Sequence, residues 1–155
     1  TTEIYTLSLH DALPISSITG VMAQRLVRKI CNHCKEKYTV PAEEIRKILI
    51  WDGTDIPFYR GKGCAHCNDS GYSGRLAIHE VLLINDEMRG QLASGSAATE
   101  ILASARKTGF QSMRYDGIKK VLRGLTTLEE IDRVTMSDED ASGSARAYNQ
   151  QALGV

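Results

Sequence analysis

The chain has 155 residues, with 19 Lys and Arg balanced by 19 Asp and Glu, so its formal net charge is zero. That balance argues against a dedicated nucleic-acid binder, which normally carries a strong basic excess, and no apolar run approaches the ~20 residues needed to span a bilayer. A 42% hydrophobic and 6% aromatic content fits one modest domain or two very small ones with several small cores, and such units often need a metal to stay folded.

In chain order, residues 1–16 (TTEIYTLSLHDALPIS) read as a short strand-like segment ended by Pro14. The string also resembles the in-frame translation of a sequencing-adapter oligonucleotide. On that resemblance it is an artefact, disordered, with no role for His10 or Asp11, and the natural protein continues upstream of about Ser17. Ser17 is a candidate N-cap for a short helix from Ile18, because Ile18, Val21, Met22 and Leu26 fall on one helical face. Gln24 to Ile30 fits either a helix or an extended strand. Arg25, Arg28, Lys29, Lys35 and Lys37 form a local basic cluster, read as a solvated face, with an anion-binding or acidic-partner surface as the alternative.

Cys31-Asn32-His33-Cys34 is the first of two C-x-x-C hooks. Pro41 suits the first turn of a following helix, which carries Ile45, Ile48 and Leu49 on one stripe, pairs Glu43 with Lys47, and ends before Asp52-Gly53. Phe58 and Tyr59 read as a short strand, broken by Gly61 and Gly63 at the second hook, Cys64-Ala65-His66-Cys67. Residues 68–74 are rich in types that tolerate left-handed backbone. Arg75 to Leu83 reads as a strand, with His79 an edge or packed histidine and Glu80 a solvated or paired carboxylate. Four short helices follow and could form a small bundle. Asn85 caps the first, which Gly95 stops, and Ser96 caps the second, which ends at Gly109. The third runs from Ser112 to Arg123, and the fourth begins at a capping box over Thr126 to Glu129. Residues 137–155 have no periodicity and are expected to be disordered.

The two hooks hold all four cysteines. A tight turn in each points both thiolates the same way, and two such hooks supply a tetrahedral Cys₄ set suited to Zn²⁺. Cys31, Cys34, Cys64 and Cys67 are therefore the expected ligands of a structural zinc, with no open position for catalysis. A redox dithiol and a pair of disulfides are the competing readings, but neither hook opens a helix after a strand and no secretory signal is convincing. His33 and His66 are expected to face solvent rather than to replace a cysteine. Paired reduced cysteines point to the cytoplasm.

From Ile18 to Thr135 the sequence resembles the C-terminal part of the type II secretion and type IV pilus assembly ATPases. The resemblance is carried by Ala23-Gln24-Arg25-Leu26-Val27-Arg28 leading into the first hook and by Tyr59-Arg60-Gly61-Lys62-Gly63 leading into the second. Gly71-Tyr72-x-Gly74-Arg75-x-x-Ile78-x-Glu80-Val81 continues it, and Asp116-Gly117 with Gly124-Leu125-Thr126-Thr127-Leu128-Glu129-Glu130 completes it. The resemblance implies a zinc-binding subdomain inserted near the end of a RecA-like core, in a hexameric motor that works on an inner-membrane platform protein. ATP and Mg²⁺ would belong to the intact parent, because no G-x-x-x-x-G-K-[ST] loop occurs here. Asn32 and Ala65 stand where such hooks commonly have proline, which leaves ligation intact.

The resulting expectation is an α+β chain: a small Cys₄ zinc-binding subdomain with a short β element and an inserted helix, followed by an all-helical C-terminal lobe. The divisions are 1–16, 17–84 (end of the ATPase core with the zinc subdomain), 85–136 (helical lobe) and 137–155. Its role would be structural and force-transmitting, without catalytic residues. It would contact neighbouring subunits and the platform protein, peripheral to the inner membrane, with no nucleic acid expected. A free-standing zinc-ribbon module that binds nucleic acid or protein is the alternative.

Overall fold

Val27, Ile30 and Ile78 are almost wholly buried on two segments that pair with each other as strands, most of whose other residues stay exposed or half-buried. Accordingly the segment expected to begin as a helix at Ile18 is instead a strand, β1 (Gly20–Ile30), paired in a two-stranded sheet with β5 (Tyr72–Leu83). The proposed helical face does not form: Val21, Met22 and Leu26 are exposed at 54%, 67% and 48%. This computed structural model describes residues 17–50, 53, 55–135 and 148–149, and the expectations placed on 1–16 and on the rest of 137–155 lie outside the described residues.

Between these strands lie β2 (Lys35–Tyr38), α1 (Ala42–Ile48), β3 (Leu49–Ile50) and β4 (Phe58–Gly61); after them come α2 (Asp86–Ala93), α3 (Ala98–Lys107), α4 (Met113–Leu122) and α5 (Leu128–Val134). A two-residue strand, β6 (Tyr148–Asn149), pairs in parallel with β3. The architecture is α+β, and the chain divides into two compact units.

One unit comprises residues up to Met22 and Val81–Phe110. Its core is Ile84, Met88 and Ala105, with Leu92, Ile101 and Phe110 packed against it. Asn85 caps α2 by accepting from the Met88 N–H at 2.8 Å, and Gly95 takes φ +72° just past its end. Helix α3 starts one residue later than Ser96 would place it: Ala97 is its N-cap and makes no side-chain cap.

The other unit comprises Ala23–Glu80 and Gln111 onward. Its core joins Val27 and Ile78 from the long strands to Ile45, Ile48 and Leu49, to Phe58, and to Ile118, Val121 and Ile131 from α4 and α5. Fully burying each such side chain contributes roughly 1.5–3 kcal/mol. The four helices thus fall into two pairs, α2 with α3 and α4 with α5. Ser112 caps α4, accepting from the Tyr115 N–H. Thr127 caps α5, accepting from the Glu130 N–H, so the cap sits one residue beyond the expected Thr126–Glu129 box. A β-carbon on Gly117 would lie 2.8 Å from Ile131, and the glycine therefore sets how closely α4 and α5 approach.

Candidate metal centre

Each hook hangs from a strand end, and the inserted segment is zipped shut beside both. β2 begins right after Cys34 and β4 ends just before Gly63-Cys64. They pair antiparallel with Lys35 opposite Gly61 and Tyr38 opposite Phe58, so Cys34 and Cys64 must lie close together. The Lys62 N–H donates to the Cys34 carbonyl at 2.9 Å, and the Cys31 N–H donates to the Gly71 carbonyl at 2.9 Å. The second hook is a 3-10 turn, Ala65–Cys67, whose exit passes through left-handed Asn68 and Asp69 (φ 49° and 58°). After glycine, Asn and Asp tolerate that region best.

Glycine permits the closest backbone approach. A β-carbon on Gly61 would collide with the Gly71 carbonyl, and one on Gly63 would lie 2.9 Å from the Asp69 carbonyl oxygen.

This frame brings all four sulfurs within 4.8 Å of one another. Sγ of Cys31 and Cys64 are 3.9 Å apart, Cys34 and Cys67 3.8 Å, and Cys64 and Cys67 3.7 Å. A disulfide needs about 2.05 Å, so these are free thiols in contact rather than bonded pairs. A tetrahedron with metal–sulfur arms of about 2.3 Å has edges of about 3.8 Å, which these three separations match. The donor set therefore fits a closed four-thiolate metal centre.

The local electrostatics are uneven. Burial, with the neighbouring thiols adding to it, pushes Cys34 up to about 12. Burial also opposes ionisation at Cys67, but the N–H groups of Cys64 and Gly71, each 3.3 Å from its sulfur, outweigh it and hold that thiol at about 7. N–H donors aimed at a sulfur favour the thiolate, the form that binds metal.

His33 and His66 are exposed and stack on each other, ring centroids 3.9 Å apart and 17° from parallel. His79 lies at a strand edge: its Nε2 is 3.1 Å from Gln24 Oε1 and its backbone N–H donates to Asp116. Glu80 accepts from the Met113 N–H at the start of α4. The basic cluster is largely engaged within the chain. Lys37 pairs with Asp55 at 2.9 Å, Lys35 lies over Tyr59, and Arg25 donates to the Val134 carbonyl. Arg28 pairs with the fully buried Glu130 at 2.6 Å. The sequence carried no sign of that last pair, whose members are far apart in the chain. Gly71 is the other contributor: its sequence motif gave no sign that its N–H and carbonyl engage Cys67 and Cys31.

Among the described residues no helix is long and apolar enough to cross a membrane. The profile of the family described as "Type II/IV secretion system protein" matches residues 4–133. The type IV pilus assembly ATPase PilB of Thermus thermophilus is 42% identical over 118 residues, 75% of this chain and 13% of that protein. The type II secretion system protein HxcR of Pseudomonas aeruginosa is 42% identical over 134 residues, 86% of this chain and 25% of that protein. The type II secretion system ATPase E of Vibrio cholerae is 37% identical over 134 residues, 86% of this chain and 26% of that protein. The chain thus spans about a quarter or less of the length of these relatives.

Proposed function

Because the chain belongs to the type II/IV secretion system protein family, we propose that it is the zinc-binding and helical C-terminal region of a secretion or pilus assembly ATPase, structural and force-transmitting rather than catalytic. The observation that carries the reading is the sulfur cluster of Cys31, Cys34, Cys64 and Cys67, all within 4.8 Å of one another and with three separations of 3.7–3.9 Å. Four thiolates around one Zn²⁺ leave no position for water or substrate, so the ion clips the ends of the inserted segment and does no chemistry. Apparent binding energies of about 10–16 kcal/mol for such ions rival the whole stability of a small domain, so the ion would keep the clipped lobe folded while the motor moves.

The sequence has no phosphate-binding loop of the G-x-x-x-x-G-K-[ST] type, which supports placing ATP and Mg²⁺ in the intact parent. In that parent the region would work in the cytoplasm against neighbouring subunits of a hexamer and the inner-membrane platform protein. Reduced, purified chain should hold one zinc per molecule, and Cys64→Ser or Cys67→Ser should release it. The same substitutions in the full-length protein should lower pilus assembly or secretion with the nucleotide site untouched. A chain that folds without metal, or cysteine variants with full transport, would contradict the proposal.

A further inference from the structure

The turn that opens α5 grips both strand ends that lead to the sulfurs. On the β1 side, the Ile30 N–H donates to the Leu125 carbonyl at 2.9 Å, and the buried Thr126 hydroxyl donates to the Arg28 carbonyl at 2.8 Å. Glu130, with 0% of its side chain exposed, accepts from the Arg28 backbone N–H at 2.9 Å and from its guanidinium at 2.6 Å. Arg133 adds two further bonds at 3.1 and 2.9 Å. On the β5 side, Arg28 lies over the Tyr72 ring at 4.1 Å, and the Tyr72 hydroxyl is 2.8 Å from Thr127 Oγ1. Beyond these contacts each strand runs directly into the cluster. Cys31 follows Ile30, and Gly71, beside Tyr72, donates its N–H to Cys67 Sγ.

A buried carboxylate that accepts four N–H groups is costly to leave partly satisfied. Its bonds therefore hold the backbone of Arg28 in one place, three residues from a sulfur ligand. We propose that Glu130 is a positioning residue for the sulfur cluster, acting through Arg28, so that metal binding at the four cysteines and docking of the α5 turn strengthen each other. This rests on the zinc reading above. Coupling between binding and docking is reciprocal: what docking adds to metal affinity, metal adds to docking.

The test uses the full 155-residue chain and Zn²⁺, with affinity read by competition against a chelator. Glu130→Gln should weaken zinc binding by roughly tenfold, the low end of what removing groups behind a metal's ligands does. Val134→Ala, which trims apolar packing on the same helix but none of these bonds, should stay within about twofold of wild type. Should Glu130→Gln not fold, Thr126→Val removes only the hydroxyl bond to Arg28 and should cost about threefold. Zinc should also slow amide exchange at Glu130 and Ile131 in the wild type and do so much less in Glu130→Gln. The inference is overturned if Glu130→Gln, or Thr126→Val in its place, binds zinc as tightly as wild type. It is equally overturned if Val134→Ala loses as much as Glu130→Gln. A wild-type chain that binds no zinc would instead sink the metal reading itself, and this inference with it.

Discussion

Replacing Gly71 with alanine puts a β-carbon 2.5 Å from the Gly61 carbonyl oxygen and 3.1 Å from its carbon, at a backbone φ of +77°. Two costs combine there. An L-residue in the left-handed region loses about 1–2 kcal/mol, and overpacking against backbone that cannot rotate away adds roughly 1–3 kcal/mol. Gly74 separates the two, because its φ is +78° but nothing lies within 4 Å of its would-be β-carbon. Gly74→Ala should therefore lose only the conformational part, and Gly71→Ala about 2–5 kcal/mol in all, a large share of a small domain's stability. Urea unfolding of the zinc-loaded chain, followed by circular dichroism, reads both variants under the same conditions. Gly71→Ala should also speed zinc loss to a chelator, because the clash with Gly61 would displace the backbone N–H that residue 71 aims at Cys67 Sγ. Equal losses in the two variants would refute the claim that the hooks depend on close approach of the Gly61 and Gly71 backbones.

Three further outcomes follow from the same geometry. Burial raises the Glu130 carboxyl, but its bonds to Arg28 and Arg133 prevail and hold it at about 2, below its ordinary 4.5. A depressed carboxyl stabilises the fold fully above pH ~4.5, and that stability is lost as pH falls toward 2. The contribution is on the order of 2 kcal/mol, discounted because both guanidiniums are half exposed and screened by water. Acid titration of unfolding should show it as the difference between wild type and Glu130→Gln, and parallel curves would contradict it. Gly117→Ala should be destabilising by about 1 kcal/mol despite alanine's better helix propensity, because Ile131 is fully buried and has little room to move. Ile131→Val should relieve part of that loss in the double variant, and thermal melts that show a gain for Gly117→Ala alone would overturn the packing argument. Ser112→Ala should cost about 1 kcal/mol by removing the cap on the Tyr115 N–H, and unchanged urea midpoints would count against it.

Features set by a few neighbouring residues were legible in the sequence. The two hooks, the cap at Asn85, the strand from Arg75 and the left-handed run around Asn68 all depend on local chemistry, and the structure has each of them. Features set by a distant partner were not legible. Ile18, Val21, Met22 and Leu26 imitate a helical stripe by spacing alone, yet β1 is held extended by β5, far along the chain. Met113, Ile118, Val121 and Leu122 mark one inward face by helical spacing, and Leu128, Ile131 and Val134 another. That these faces bury against Val27, Ile78 and Phe58 was not legible, because periodicity marks a face and never its partner. Glu130 shows the limit most clearly. In sequence it is one acid among several at a helix start, where the macrodipole alone would account for it. Its burial and its grip on Arg28 exist only once the turn before α5 has docked.

The central claim is that four sulfurs enclose one ion, and X-ray absorption at the zinc edge of the purified chain tests it most directly. The account predicts a single shell of four sulfur neighbours at about 2.3 Å. A shell with nitrogen or oxygen in place of any sulfur, or metal-free protein that keeps its fold, would contradict it.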